Sequence, residues 1–369
     1  SGALGNASSA VLLGNTSGSS NASLITNGAF TVARPITVQT GNTGTITIGG
    51  TGANSASFTG NITLDKAVTL TADASGTATF STGVISGAGA ITKSGAGSVV
   101  LSGNNTYSGG TTISAGILSI SSDGSLGAVP VSAVANSIVL SGGVLQSVGS
   151  ASLDAKRGIT MSAASGLAAT SSNTLTVNGI VTGGFGLTIN ASSQTGVVAL
   201  SGANTYTGTT TVTSGTLRLG DPSALGTVAN GTTISSGAVL DLGGQTIANA
   251  EALSIAGSGI SSGGALINSS VTAASYAGNI VISSATIFNT ASGITISGTV
   301  TGGSSTNTLL LTGGGNYTLN NASNVISTFA GQVGSLTLKS DNLLIGTASA
   351  VNGLSATGNI TINVTGDIV

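Results

Sequence analysis

Along the whole chain, apolar and small polar residues alternate in short runs: Thr45-Ile46-Thr47-Ile48, Val68-Thr69-Leu70-Thr71, Ile117-Leu118-Ser119-Ile120, Thr216-Leu217-Arg218-Leu219 and Ile294-Thr295-Ile296. Period-two alternation rich in Val, Ile, Leu and Thr is the pattern of a half-buried strand. Gly, Asn, Ser or Asp interrupts each run, as in Thr51-Gly52-Ala53-Asn54-Ser55, and supplies turn chemistry and access to positive φ. Helical spacing at i, i+3, i+4, i+7 is almost absent; only Ala248 to Ile255 admits a turn or two. The pattern predicts an all-β chain of many very short strands.

A longer period lies over this alternation. Leu101-Ser102-Gly103-Asn104-Asn105-Thr106-Tyr107-Ser108-Gly109-Gly110-Thr111-Thr112-Ile113 returns as Leu200-Ser201-Gly202-Ala203-Asn204-Thr205-Tyr206-Thr207-Gly208-Thr209-Thr210-Thr211-Val212. Downstream, Gly116-Ile117-Leu118 answers to Gly215-Thr216-Leu217, and Ser125-Leu126-Gly127 to Ala224-Leu225-Gly226. A weaker third copy runs from Leu311 to Thr318 and places Tyr317 at the Tyr107 and Tyr206 position. Copies whose spacing drifts argue for loop insertions around a constant strand ladder, as in a solenoid.

These runs resemble the passenger-associated strand repeat (autotransporter-associated β-strand repeat) of bacterial surface proteins. The likeness is specific at 101–128 and 200–228, recognisable at 311–318 and compositional elsewhere. It implies a right-handed parallel β-helix exported to the cell surface. At roughly 20 to 22 residues per coil the chain makes roughly 17 coils. They are expected as one continuous β-solenoid over 1–369, with degenerate super-repeats around 60–160, 161–260 and 270–350. No C-terminal outer-membrane barrel is recognisable, since its aromatic girdles need more than 3% aromatics. The runner-up fold is a string of immunoglobulin-like sandwiches, which the missing Trp and the Gly-Ser-Thr saturation disfavour.

Composition narrows the chemistry. The 369 residues include 60 Gly, 4% charged residues, one Met and no His, Cys or Trp. Without His the usual general base and metal ligand are gone, and without Cys so are thiol catalysis and disulfides. Seven dispersed basic residues, at net charge −2, cannot form the stripe that nucleic acid requires. Apolar runs of two to four residues are far short of a membrane span. Ser1-Gly2-Ala3-Leu4-Gly5 shows no signal peptide, so a processed chain or a piece of a longer one is expected. Residues 1–5 and 358–363 match elements that follow and precede the Tyr motif, which places both ends inside a repeat unit.

Candidate sites are few. The coil-spaced pair Asp221 and Asp241, with Arg218 nearby, is the best candidate for the two carboxylates of glycoside hydrolysis, yet a solvated or salt-bridged pair is the simpler reading. Calcium needs repeated Gly-Gly-x-Gly-x-Asp, and Ser122-Asp123-Gly124 stands alone. Sequons such as Asn61-Ile62-Thr63 arise readily in a chain so rich in Asn, Ser and Thr. Phe30, Phe58, Phe80, Phe185, Phe288 and Phe329 read as isolated core fillers. Tyr107, Tyr206 and Tyr317 read as corner residues with hydroxyls bonded to backbone, being too widely spaced for one sugar-stacking platform. Only small insertions occur, such as 140–160, where Asp154, Lys156 and Arg157 form the densest charge cluster.

No catalytic residue, cofactor or metal is assigned. The expected function is a non-enzymatic structural protein of the bacterial cell surface, assembling into an extracellular filament, sheath or layer. Its partners are copies of itself, head to tail or side by side, or the rest of a longer solenoid, with surface glycans as a further partner and neither nucleic acid nor a membrane span. An autotransporter-type adhesin stalk binding glycans or host surfaces is the alternative, and a β-helix polysaccharide-degrading enzyme the second alternative.

Overall fold

The computed structural model describes residues 4, 8–191, 194–302, 307–340, 342–348 and 351–364. Short strands of two to eleven residues stack in parallel as a β-solenoid of about 15 turns, close to the coil number expected. Parallel stacking excludes the sandwich alternative, whose strands run antiparallel. Contacts gather into two compact units, Ser1–Gly183 and Gly184–Val369.

In the first unit one wall holds eight strands: Ala22–Thr26, Ile46–Gly50, Val68–Ala72, Ile91–Ser94, Thr111–Ile113, Val134–Leu140, Arg157–Met161 and Val181–Gly183. Its register makes an outward file of Ser23, Thr47, Thr69, Thr92, Thr112, Val139, Thr160 and Thr182, whose successive members lie 24, 22, 23, 20, 27, 21 and 22 residues apart. The long step of 27 falls between Thr112 and Val139. The insertion therefore precedes 140–160, where it was expected, and the charge cluster sits one coil beyond it.

The inward column beside that file runs Leu24, Ile48, Leu70, Lys93, Ile113, Leu140 and Met161. Alternation thus delivers every second side chain to the core, as the sequence pattern implies. Lys93 is the exception in kind, a fully buried cation between Leu70 and Ile113. On another wall Val32, Phe58, Phe80, Leu101, Ile120, Ser147 and Ala169 stack. Ser147 is fully buried there and its hydroxyl has no partner. Ser147→Ala removes a desolvated, unbonded hydroxyl from an apolar column, and is expected to stabilise the first unit by about 1 kcal/mol in denaturant unfolding.

The second unit repeats the scheme. Thr246–Ile247, Ala274–Tyr276, Gly293–Ile296, Asn316–Leu319, Ser335–Ser340 and Ile360–Val364 form one wall. Its outward file is Thr246, Ser275, Thr295, Thr318, Thr337 and Thr361. The single antiparallel pair among the described residues joins Thr347–Ala348 to Val351–Asn352.

Several expectations are corrected. Ala248 to Ile255 makes no helical turn; Leu253–Gly257 is a strand, and the only helical turns described are 3₁₀ turns at Asp123–Leu126 and Ile260–Ser262. Among the described residues no helix is long and apolar enough to cross a membrane. Phe58, Phe80, Phe288 and Phe329 are buried, but Phe30 and Phe185 are exposed, because both stand outside the strands, Phe30 just before Thr31–Val32 and Phe185 between Gly184 and Gly186. Nor are the buried rings all isolated: Phe58 and Phe80 stack with centroids 4.7 Å apart and planes 8° from parallel.

Candidate functional site

The repeated Tyr motif is a corner clamp. Tyr107 and Tyr206 are buried in the turns ahead of Thr111–Ile113 and Thr210–Val212. Each phenol bonds the threonine hydroxyl four residues on, Thr111 or Thr210, at 2.7 Å. Asn105 Nδ2 donates to Ser125 O at 2.8 Å and Asn204 Nδ2 to Ala224 O at 2.7 Å, tying each corner to the next coil. The Leu-Gly step closes it. Gly127 and Gly226 have φ of +78° and +77°, and an added Cβ would lie 2.3 Å from Tyr107 O and 2.4 Å from Tyr206 O, so only glycine fits. Burial pushes the Tyr107 hydroxyl up to about 12.

These hydroxyls meet threonine side chains where backbone was expected. Tyr317 does bond backbone, donating to Thr312 O at 2.7 Å and Phe288 O at 3.0 Å. It lies within a strand, Asn316–Leu319, so the third copy does not reproduce the corner. Tyr276, which the repeats did not single out, is equally buried and donates to Glu251 O at 2.8 Å. No described tyrosine offers a ring to a sugar.

The two carboxylates of the coil-spaced pair are held in separate hydrogen-bond sets. Asp241 is fully buried and receives Arg218 Nε at 2.8 Å, Ser269 Oγ at 2.6 Å, and the Gly243 and Ser269 amides at 3.0 Å. Four donors thus converge on its two oxygens. Asp221 turns into its own loop, its Oδ1 accepting the Ser223 amide at 2.7 Å. Asp341 and Asp367 lie outside the described residues, as do Ser1 to Ala3 and Gly5. Among the described residues no three His, Cys, Asp or Glu side chains gather as a metal site. Asn61 of the quoted sequon caps the next coil through the Val84 amide.

The cations have an unexpected use. Arg34 donates to Ser9 O, Lys66 to Asn42 O and Gly44 O, and Lys93 to Ser94 O, Gly95 O and Ala115 O at 2.7–2.9 Å. Burial pulls the Lys93 ammonium down to about 8, so it stays protonated at neutral pH. Arg157, 2% exposed, gives Nη1 and Nη2 to Leu126 O and Gly127 O, and Nε to Asp123 at 2.8 Å. Solenoid corners turn carbonyls inward without a strand partner, and long basic side chains reach back to satisfy them.

The same position inverts its charge in the second unit. Arg157 lies two residues before Ile159, the register partner of Ile138; Glu251 lies two before Leu253, the partner of Thr232. Glu251 is 2% exposed and accepts Thr232 Oγ1 at 2.5 Å. Burial raises its carboxyl to about 7, with the Thr232 bond pulling the other way.

Comparison with known proteins fits this geometry. The passenger-associated-transport-repeat family matches residues 91–120 and 193–219, the two stretches that hold the Tyr corners and their flanking strands. Over 87 residues, 24% of this chain, the sequence is 38% identical to the "Adhesin BmaC autotransporter" of Brucella suis biovar 1 (strain 1330). The chain spans only 2% of that protein's length. No solved structure matches. The chain thus carries the passenger-associated repeat on a parallel β-solenoid.

Proposed function

We propose that this chain is part of a non-enzymatic, autotransporter-type passenger, displayed outside a bacterial cell, whose uncharged faces make adhesive contact. The observation that carries this is where the charge goes. Five of the seven basic side chains, Arg34, Lys66, Lys93, Arg157 and Arg218, bond backbone carbonyls or a buried carboxylate. Outward files are left to Thr and Ser, with an occasional Val. Freely soluble proteins resist association with mixed surface charge; these faces lack that protection and suit neutral glycans or a second solenoid. The likeness to an adhesin favours the adhesive role, and side-by-side packing into a filament or layer is the structural variant of the same surface.

Fused to an outer-membrane barrel, the chain is expected to be antibody-accessible on intact cells and to promote adherence or cell clumping. Release of reducing ends from a polysaccharide panel, lost in Asp241→Asn, would overturn the non-enzymatic reading. Negative-stain images of the purified chain separate single particles from filaments.

A further inference from the structure

One segment of the first unit is not explained by the repeat. Between Gly127 and Val134 lies Ala128-Val129-Pro130-Val131-Ser132-Ala133, where the second repeat has Thr227 alone before Val228-Ala229-Asn230. The added residues lie ahead of strand Val134–Leu140, whose register shifts between Val134, facing Arg157, and Ile138, facing Ile159. Val131, in the inserted loop outside any strand, is 96% exposed, and Val129 and Val134 are exposed beside it.

The insertion walls a cavity of about 480 Å³ lined by Leu126, Val129, Arg157 and the polar Asn136 and Ser137, with Val131 itself part of the wall. Arg157 is neutralised by Asp123, so the recess, mainly apolar, carries no net charge. Its flank carries one charge of each sign. Lys156 is exposed and its carbonyl accepts the Val134 amide; Asp154, partly exposed, accepts the Lys156 amide through Oδ1 at 2.8 Å.

A projecting apolar side chain, a mainly apolar recess and opposite charges on one patch make that patch complementary to itself under two-fold rotation. We propose that it is a homotypic contact, in which Val131 of one copy enters the recess of a second copy and Lys156 of each meets Asp154 of the other. So small a patch falls below the area of standard stable interfaces, which makes the pair weak in solution. Many copies held close on one surface add up their contacts by raising effective concentration. The contact deepens the adhesive reading above by naming a like chain as partner, and it can be tested apart from where the protein resides.

Sedimentation velocity of the purified chain, from micromolar towards millimolar concentration, tests it. Monomer and dimer are expected in concentration-dependent exchange. Val131→Asp changes a solvent-facing side chain, so circular dichroism and melting should not move, while the dimer dissociation constant rises about tenfold or more. Replacing Ala128–Ala133 with the single Thr of the second repeat should leave a monomer; if that variant misfolds, Val131→Asp still decides. Lys156→Glu should weaken the dimer most at low salt. A wild-type monomer throughout, an unchanged dimer in Val131→Asp, or open-ended oligomers in place of a dimer would each overturn the contact. None of these results bears on antibody access on cells, which tests surface display separately.

Discussion

Arg157→Ala should destabilise the first unit by about 3–5 kcal/mol, the range for removing one partner from a buried ion pair. The side chain is 2% exposed and Asp123 is 20% exposed across 2.8 Å. Its loss takes the counter-charge from Asp123, whose Oδ1 keeps only the Asp154 amide at 3.1 Å, and removes the guanidinium donors from Leu126 O and Gly127 O. Both carbonyls belong to the corner that also holds Tyr107, so the damage falls on the clamp itself. Denaturant unfolding, read as a midpoint shift at constant slope, checks this. Adding Asp123→Asn should recover part of the loss, because the orphaned charge rather than the missing contact carries much of the penalty. Arg218→Ala offers the contrast. Its side chain is 44% exposed, and Asp241 keeps three other donors, so its midpoint should move far less.

The second unit should lose stability as pH rises from about 4.5 to about 7, and Glu251→Gln should remove that loss. Folding raises the Glu251 carboxyl from 4.5 to about 7 through burial. The folded state therefore holds the proton more tightly than the unfolded chain does. Below pH 4.5 both states are protonated and the group contributes fully. Between 4.5 and 7 the unfolded chain ionises first, and by pH 7 about 3 kcal/mol has gone. The groups facing Glu251 are Tyr206, Tyr276 and Thr232, none of which titrates in that window. The difference in melting temperature between wild type and Glu251→Gln, followed from pH 4 to 8, isolates the group. A difference that does not vary with pH would mean that Glu251 is already ionised in the folded state.

The corner clamp shows how far the chain could be read before folding. Asn105, Tyr107, Thr111, Leu126 and Gly127 recur as Asn204, Tyr206, Thr210, Leu225 and Gly226, and each has a structural task at its position. Recurrence marked these residues, and their burial removes the sugar-platform reading. The buried ionisable groups carried no such mark. Lys93 sits where Ile189 stands in the second unit, each being the register partner of the next strand's last residue; nothing in Ile91-Thr92-Lys93-Ser94 says that its ammonium turns back to three carbonyls. Glu251 was one acid among nine, and only its register beside Thr232 reveals that it takes the place of an arginine.

Period-two alternation specified an all-β chain of short strands and the Tyr-to-Gly repeat a recurring ladder, each a local pattern that every coil renews, while the parallel solenoid came from the family resemblance those repeats carry. The fate of the charged and aromatic exceptions was decided by folding. Arg157 finds Asp123 34 residues earlier and Lys93 finds Ala115 22 residues later, separations that vary with every loop inserted between. Phe30 and Phe80 look alike in the chain, yet one is exposed and the other stacked, since burial depends on what the adjacent coil sets against the ring. Where the Ala128–Ala133 insertion projects, and what recess it walls, likewise follows from the strands that stack above and below it.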